Sequence, residues 1–323
     1  RNAASLGTAA VTLGDAASGS NAMALYLDTN RVNFARTVTV SSNGTGTVTL
    51  GSRATVTGSG DNNQFTSIVL QRNVTFDSNA ADRTDYENIS GTGNITVAGA
   101  GRSIFMTNNT YVGNLTINTS ADANGLQLGT LSTAFNALYD LGSVQIDTGG
   151  KLSLSYSANG SETIGALNGA GTVRQNGGGL NTLIFGNGNG TGSFSGTIVN
   201  GTGTIAITKV GTGTQTLSGA NTQTGATGIN GGTLALDFAT QNNSKLSDTA
   251  ALNFGLGAST LSLAGGSHTE VVASTSLAAG ASANITRSTG TSVLQLGTIT
   301  VGANSTLNIG AASIATTNNL NNA

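Results

Sequence analysis

Apolar and polar residues alternate along much of this chain with a period of two. The segments "GTVTLG" (46–51), "NITVAG" (94–99), "NLTINT" (114–119), "KLSLSYS" (151–157), "GTIAIT" (203–208), "GTLALD" (232–237), "STLSLAG" (259–265) and "STLNIG" (305–310) all follow it. That period predicts short strands with one buried face and one wet face. The inward positions are Val, Ile or Leu, and the outward ones are mostly Thr, Ser and Asn. Helical periodicity is nearly absent. The best candidate is "STAFNALYDLG" (132–142), where Phe135, Leu138, Tyr139 and Leu141 could form one amphipathic turn ended by Gly142, or an irregular loop.

Turn signals are equally dense. Asn-Gly begins at Asn43, Asn124, Asn159, Asn168, Asn176, Asn187, Asn189, Asn200 and Asn230. Both residues accept positive φ at low cost, so the dipeptide marks tight corners. Two topologies fit many short alternating strands: an antiparallel sandwich and a parallel solenoid. Sandwich domains of ~100 residues have aromatic-rich cores, whereas this chain holds 14 aromatic residues in 323 and no composition break. Recurrence points the same way: "ISGTGNITVAG" (89–99), "LNGAGTVRQNG" (167–177) and "VNGTGTIAITKVG" (199–211) share one core. The reading is an all-β, right-handed parallel β-solenoid (β-helix), with polar corners stacked as ladders. At about 20–25 residues and ~4.8 Å per coil, it has roughly 13–16 coils and a length of about 60–75 Å.

Composition sharpens this picture. Pro is absent, as a parallel ladder requires, because each N–H must donate to a neighbouring coil. Charged residues make up 8%, and the second half (163–323) carries only Arg174, Lys209, Asp237, Lys245, Asp248, Glu270 and Arg287. Whole-chain disorder is disfavoured, since 37% of residues are hydrophobic and they are patterned. A net charge of −2 excludes an electrostatic nucleic-acid reader. The absence of Cys excludes disulfides and thiolate metal sites. No apolar run reaches the ~20 residues of a transmembrane helix. Opening at Arg1 without a signal peptide, the chain reads as a processed product or an excised segment. One continuous solenoid over 1–323 is expected, with 1–85 as more charged N-terminal coils and 86–323 as Gly/Thr/Asn-rich repeat coils.

The clearest unit is 194–236, "FSGTIVNGTGTIAITKVGTGTQTLSGANTQTGATGINGGTLAL". It resembles the passenger-associated transport repeat of autotransporter proteins. The matching positions are Phe194, Gly196, Ile198, Lys209, Gly211, Gly213, Thr214, Leu217, Gly219, Asn221, Thr222, Thr224, Gly225, Thr227, Ile229, Gly231, Gly232, Thr233 and Leu234. Gln215 stands where the repeat has an aliphatic residue and Gln223 where it has Tyr, and both are expected to weaken core contact locally. "FMTNNTYVGNLTI" (105–117) repeats the Asn-Thr-Tyr-x-Gly core with Tyr111 present. The resemblance implies a β-helix on the outer surface of a Gram-negative-type bacterium and no catalytic activity. It departs at the end: "TTNNLNNA" is not a membrane-barrel strand.

Candidate chemistry is sparse. His268 and Glu270, two apart on a strand, could form half a metal site, but without a second His or a Cys they read better as a solvent-facing loop pair. Asp77, Asp82, Arg83, Asp85 and Glu87 are the only dense charge group. They could bind Ca²⁺ or act as paired carboxylates, yet lack the Gly and alternating Asp of a Ca²⁺ loop, and read better as a solvated loop between coils. No G-x-G-x-x-G or GK[ST] occurs among the glycines. No catalytic, cofactor-binding or metal-binding residue is assigned, and no cofactor is expected.

The expected function is therefore that of a non-enzymatic extracellular structural protein of a bacterial surface. Solenoid ends expose unpaired edges, and neither terminus shows a cap, so end-to-end self-association into a fibre or layer is the main reading. The alternatives are a monomeric adhesin or autotransporter passenger stalk and, more remotely, a β-helical polysaccharide-degrading enzyme. Expected partners are further copies of the chain and surface or matrix carbohydrate, with no nucleic acid.

Overall fold

A computed structural model describes residues 9–28, 31–53, 62–78, 83–118, 125–129, 136–154 and 159–317. All eight alternating segments named above contain strands, and every strand pair is parallel and joins one coil to the next. The chain is a parallel β-solenoid, and the 13 strands stacked on its first face, one per coil, agree with the 13–16 coils expected. Its longest sheet has 13 strands, from Met23–Leu27 to Thr306–Ile309.

Each coil passes over three faces. The first carries the 13-stranded sheet. The second runs through Arg83–Tyr86, Arg102–Phe105, Leu126–Leu128, Lys151–Leu154, Thr172–Gln175 and Thr197–Val199, and resumes at Thr269–Val271 and Val293–Gln295. The third runs through Val11–Leu13, the ends of Asn33–Val40 and Asn62–Leu70, and Ile89–Gly91. It resumes at Gly160–Ile164 and continues to Thr298–Val301. The second and third faces each have one break. The two long early strands bend across both faces, with a register shift between Phe34 and Thr37. Among the described residues the only helical piece is one 3₁₀ turn, Asn187–Asn189. Residues 136–142 of the expected amphipathic turn are not helical, and Phe135 lies outside the described residues.

Side chains stack as the backbone dictates. Leu50, Phe76, Val97, Ile117 and Ile146 form one buried inward column on the first face, each in register with the next. The early coils are filled by aromatic rings: Phe65 and Phe76 both stack on Tyr86, at centroid distances of 5.8 and 4.1 Å. Corners stack too. Asn94 N–H donates to Asn73 Oδ1 (2.9 Å), Asn114 N–H to Asn94 Oδ1 (2.8 Å), and Ser143 N–H to Asn114 Oδ1 (2.9 Å). The Asn-rich corners are thus hydrogen-bonded ladders that relay the backbone pattern through side chains.

One rung departs from the column rule. Between Ala166–Gly169 and Gly192–Phe194 only Gly169 and Phe194 pair. Gly192 leaves an inward position empty, and Gln215 of the following coil reaches through it. Its Oε1 accepts from Leu167 N–H (3.1 Å) and its Nε2 donates to the Leu167 carbonyl (2.8 Å). A Cβ at Gly192 would lie 2.6 Å from that Oε1. Gln215 therefore replaces a missing backbone pairing two coils away and does not merely weaken a core contact.

The ladder generates a direct expectation. Thr116, at the middle of Leu115–Ile117, pairs with Thr96 below and Gln145 above. Thr116→Pro removes a ladder donor and should cost about 3 kcal/mol or more, whereas Thr116→Val should stay within about 0.5 kcal/mol. Urea denaturation followed by circular dichroism measures both.

Candidate functional site

The residues singled out for chemistry are placed in structural roles. Glu270 lies on Thr269–Val271 and is fully buried, which corrects the expectation of a solvent-facing pair. His268 Nε2 is 3.6 Å from Glu270 Oε2, and its ring stacks on Phe238 at 5.2 Å. The charged group at 77–87 is dispersed over the coil and is not a solvated loop. Asp77 accepts from the Tyr26 hydroxyl (2.9 Å) on the first face. Arg83 and Asp85 sit on one strand of the second face, with Asp85 buried beneath the Arg83 fork (2.7 and 3.0 Å). Glu87 accepts from Gln64 Nε2 (2.5 Å). Asp82 lies outside the described residues. No group of three or more His, Cys, Asp or Glu is placed to hold a metal ion among the described residues.

Several buried polar residues lie at the breaks in the second and third faces. On the third face, Ile89 N–H donates to Asn109 Oδ1 (2.9 Å), and Asn109 Nδ2 donates to the Ala137 carbonyl (3.0 Å). The N–H groups of Ala137 and Leu138 then donate to the Glu162 carboxylate (3.3 and 2.8 Å). Glu162 lies on Gly160–Ile164, where the sheet resumes. One Asn and one Glu thus join the remaining backbone bonds in carrying the hydrogen bonding across two coils that lack strands on this face.

The same arrangement recurs on the second face. Ile198 N–H donates to Asn221 Oδ1 (2.9 Å), and Asn221 Nδ2 donates to the Lys245 carbonyl (3.1 Å). Lys245 N–H donates to both Glu270 oxygens (3.1 and 3.0 Å), and Leu246 N–H to Oε1 (2.6 Å). The backbone agrees: Thr110 N–H donates to the Ile89 carbonyl, and Thr222 N–H to that of Ile198. Asn109, Glu162, Asn221 and Glu270 are all buried. The chain therefore holds two Asn–Glu staples, the Asn pair 112 residues apart and the Glu pair 108.

Gln223, two residues after Asn221, also donates to the Lys245 carbonyl (3.2 Å). Tyr111 occupies the equivalent place after Asn109 and is buried. Gln223 therefore adds a hydrogen bond where the first staple has an aromatic ring, which corrects the view of it as only a weakened contact. Lys209 has a comparable role. Its buried ammonium donates to the carbonyls of Val210 (2.6 Å), Gly211 (3.1 Å) and Gly231 (3.3 Å). It ties two successive corners together.

Sequence reasoning found the Asn-Thr-Tyr-x-Gly echo but not Glu162 or the joint role of Glu270. A signal existed in "NALYD" (136–140) and "SKLSD" (244–248), which share Leu-x-Asp and precede the two glutamates.

Grooves on the described surface include one lined by Arg53 and Asp77 and another lined by Tyr139 and Asp140. Residues 207–236 match the model of the passenger-associated-transport-repeat family. This segment is a repeat of the autotransporter passenger kind, as its resemblance implied. An alignment 157 positions long, covering 45% of this chain, is 37% identical to the adhesin BmaC autotransporter of Brucella suis biovar 1 (strain 1330). The alignment spans 4% of the length of that relative. No solved structure matches the chain.

Two expectations follow from the staples. Glu162→Ala and Glu270→Ala each strand two buried N–H groups and should each destabilise by about 2–4 kcal/mol, read as a lowered urea midpoint. Glu270 also titrates: burial, opposed by the Leu246 and Lys245 amides, pushes its pKa up to about 7, with Asp248 and Lys245 acting on it. Between its ordinary value of 4.5 and about 7, the folded chain keeps a proton that the unfolded chain releases. Its contribution to stability is therefore present at low pH and lost as pH rises through that window. Neighbouring His268, held low by burial, acts with the opposite sign. The difference in urea midpoint between wild type and Glu270→Gln should thus shift against wild type from pH 4.5 to pH 8.

Proposed function

We propose that this chain is a non-enzymatic stretch of an adhesin-like passenger, displayed as a rod on the outer surface of a Gram-negative-type bacterium. The observation that carries the reading is the transport repeat at 207–236, together with the similarity of part of the chain to an adhesin autotransporter. The geometry is compatible with it. The first-face sheet continues over 13 strands, and its outward positions present short polar side chains such as Thr49, Thr75, Thr96 and Thr116. The buried carboxylates are occupied, Glu162 and Glu270 by backbone amides and Asp85 by Arg83, which favours a scaffold over a hydrolase. The comparisons favour the displayed passenger over end-to-end assembly into a fibre.

The test fuses residues 1–323 upstream of an autotransporter barrel in a non-adherent Gram-negative host. Surface labelling of intact cells, together with at least a several-fold gain in attachment to cultured cell layers over a barrel-only control, supports the reading. Labelling without any gain in attachment overturns the adhesive role. Sedimentation of the purified chain addresses assembly: an elongated monomer from 1 to 100 μM is expected, and concentration-dependent polymers would restore the fibre.

A further inference from the structure

We propose that a groove at the corner between the third and first faces binds the carboxylate of an acidic saccharide through Arg72. The groove arises from unequal corners. Seven residues (41–47) link Val40 to Val48, but only three (71–73) link Leu70 to Val74 on the next coil. The longer corner overhangs the shorter one as a ledge. It is pinned by Ser42 N–H donating to Gln71 Oε1 (3.2 Å) and by Arg72 Nη1 donating to the Gly44 carbonyl (2.6 Å). Beneath it lies a space of about 480 Å³, within the roughly 300–1,000 Å³ of small-ligand clefts.

The unassigned chemistry is on Arg72. With Nη1 engaged, its Nε and Nη2 are shielded from water and meet no acceptor. These two atoms form the edge of a guanidinium that grips a carboxylate bidentately. The chain supplies its own comparison one coil later, where the same edge of Arg83 holds Asp85 at 2.7 and 3.0 Å. The groove at Arg72 is lined by no acidic residue, so this edge has no internal counter-charge. Arg72 is half-buried and lines the groove, and binding requires its side chain to turn this edge toward the space. The remaining lining explains why a sugar acid fits better than a peptide. Ser42, Thr45, Thr47, Thr75 and Thr96 present hydroxyls to the space, and Val48 and Val74 are its only apolar side chains. A ribbon of hydroxyls with one fixed cation matches a polyhydroxylated ligand carrying one carboxylate per residue.

This inference deepens the adhesive reading by naming a ligand class. The two fail separately, because binding by the purified chain is independent of display and cell attachment. Calorimetric titration of the 323-residue chain with a uronic-acid oligosaccharide should show binding that a neutral oligosaccharide of equal length does not. Arg72→Gln should weaken it by about 10- to 100-fold, and Arg72→Lys, which keeps charge but loses the fork, by a smaller factor. Because Arg72→Gln also releases the ledge, Thr75→Val and Thr96→Val serve as second variants. Both are outward strand positions that tolerate Val, and each should cost about two- to five-fold in affinity with the urea midpoint unchanged. No uronate binding at millimolar concentration overturns the proposal. So does binding undiminished in Arg72→Gln, or equal binding of the neutral sugar. Equal, Arg72-dependent binding of oligoglutamate would overturn the saccharide assignment in favour of an acidic peptide.

Discussion

Every feature of this molecule depends on one requirement: a buried backbone N–H must meet an acceptor one coil away. In a parallel stack that acceptor is supplied by the same position of the neighbouring rung. The stack therefore persists only while successive coils keep register, and any coil that leaves the sheet strands its neighbours' amides. The absence of Pro, the stacked inward columns and the Asn corners all follow from that condition. So do the staples. Where two coils of a face lack strands, Asn109 with Glu162 and Asn221 with Glu270 supply acceptors and donors that the missing strands would have offered.

This explains why a chain so poor in charge places two of its three glutamates in its interior. Burying an ionised carboxylate is costly unless it is fully hydrogen-bonded. Here the amides that receive it would be equally costly if left alone, so each deficit offsets the other. Lys209 follows the same logic with the sign reversed, its ammonium serving three corner carbonyls.

Much of the fold was legible because it rests on local pattern. The period of two located the strands, and Asn-Gly located many corners. The expected coil length of about 20–25 residues matches the spacing of the 13 strands stacked on the first face. What was not legible depends on contacts between coils. Glu270 looked exposed because it sits beside His268 in a polar stretch, and its amide partners lie 24 and 25 residues away. Asp85 looked solvated within a charged run, but Arg83, two residues away on the same face of the strand, covers it. Gln215 read as a defect because its partner, Leu167, is 48 residues distant. Single-sequence reasoning places a residue on a face, but cannot say which coil's gap it fills.

Gln215 also bears on how such a rod yields to force. A solenoid pulled from one end peels rung by rung, because each coil is held only by its neighbours. Gln215 breaks that nearest-neighbour rule by passing through the space at Gly192 to the backbone of Leu167. A tear arriving from the C-terminal side cannot free the coil of Gln215 without also pulling on a rung two layers down. At that point the smallest mechanical step is a pair of coils, and the rod carries a built-in tear-stop within the transport-repeat segment.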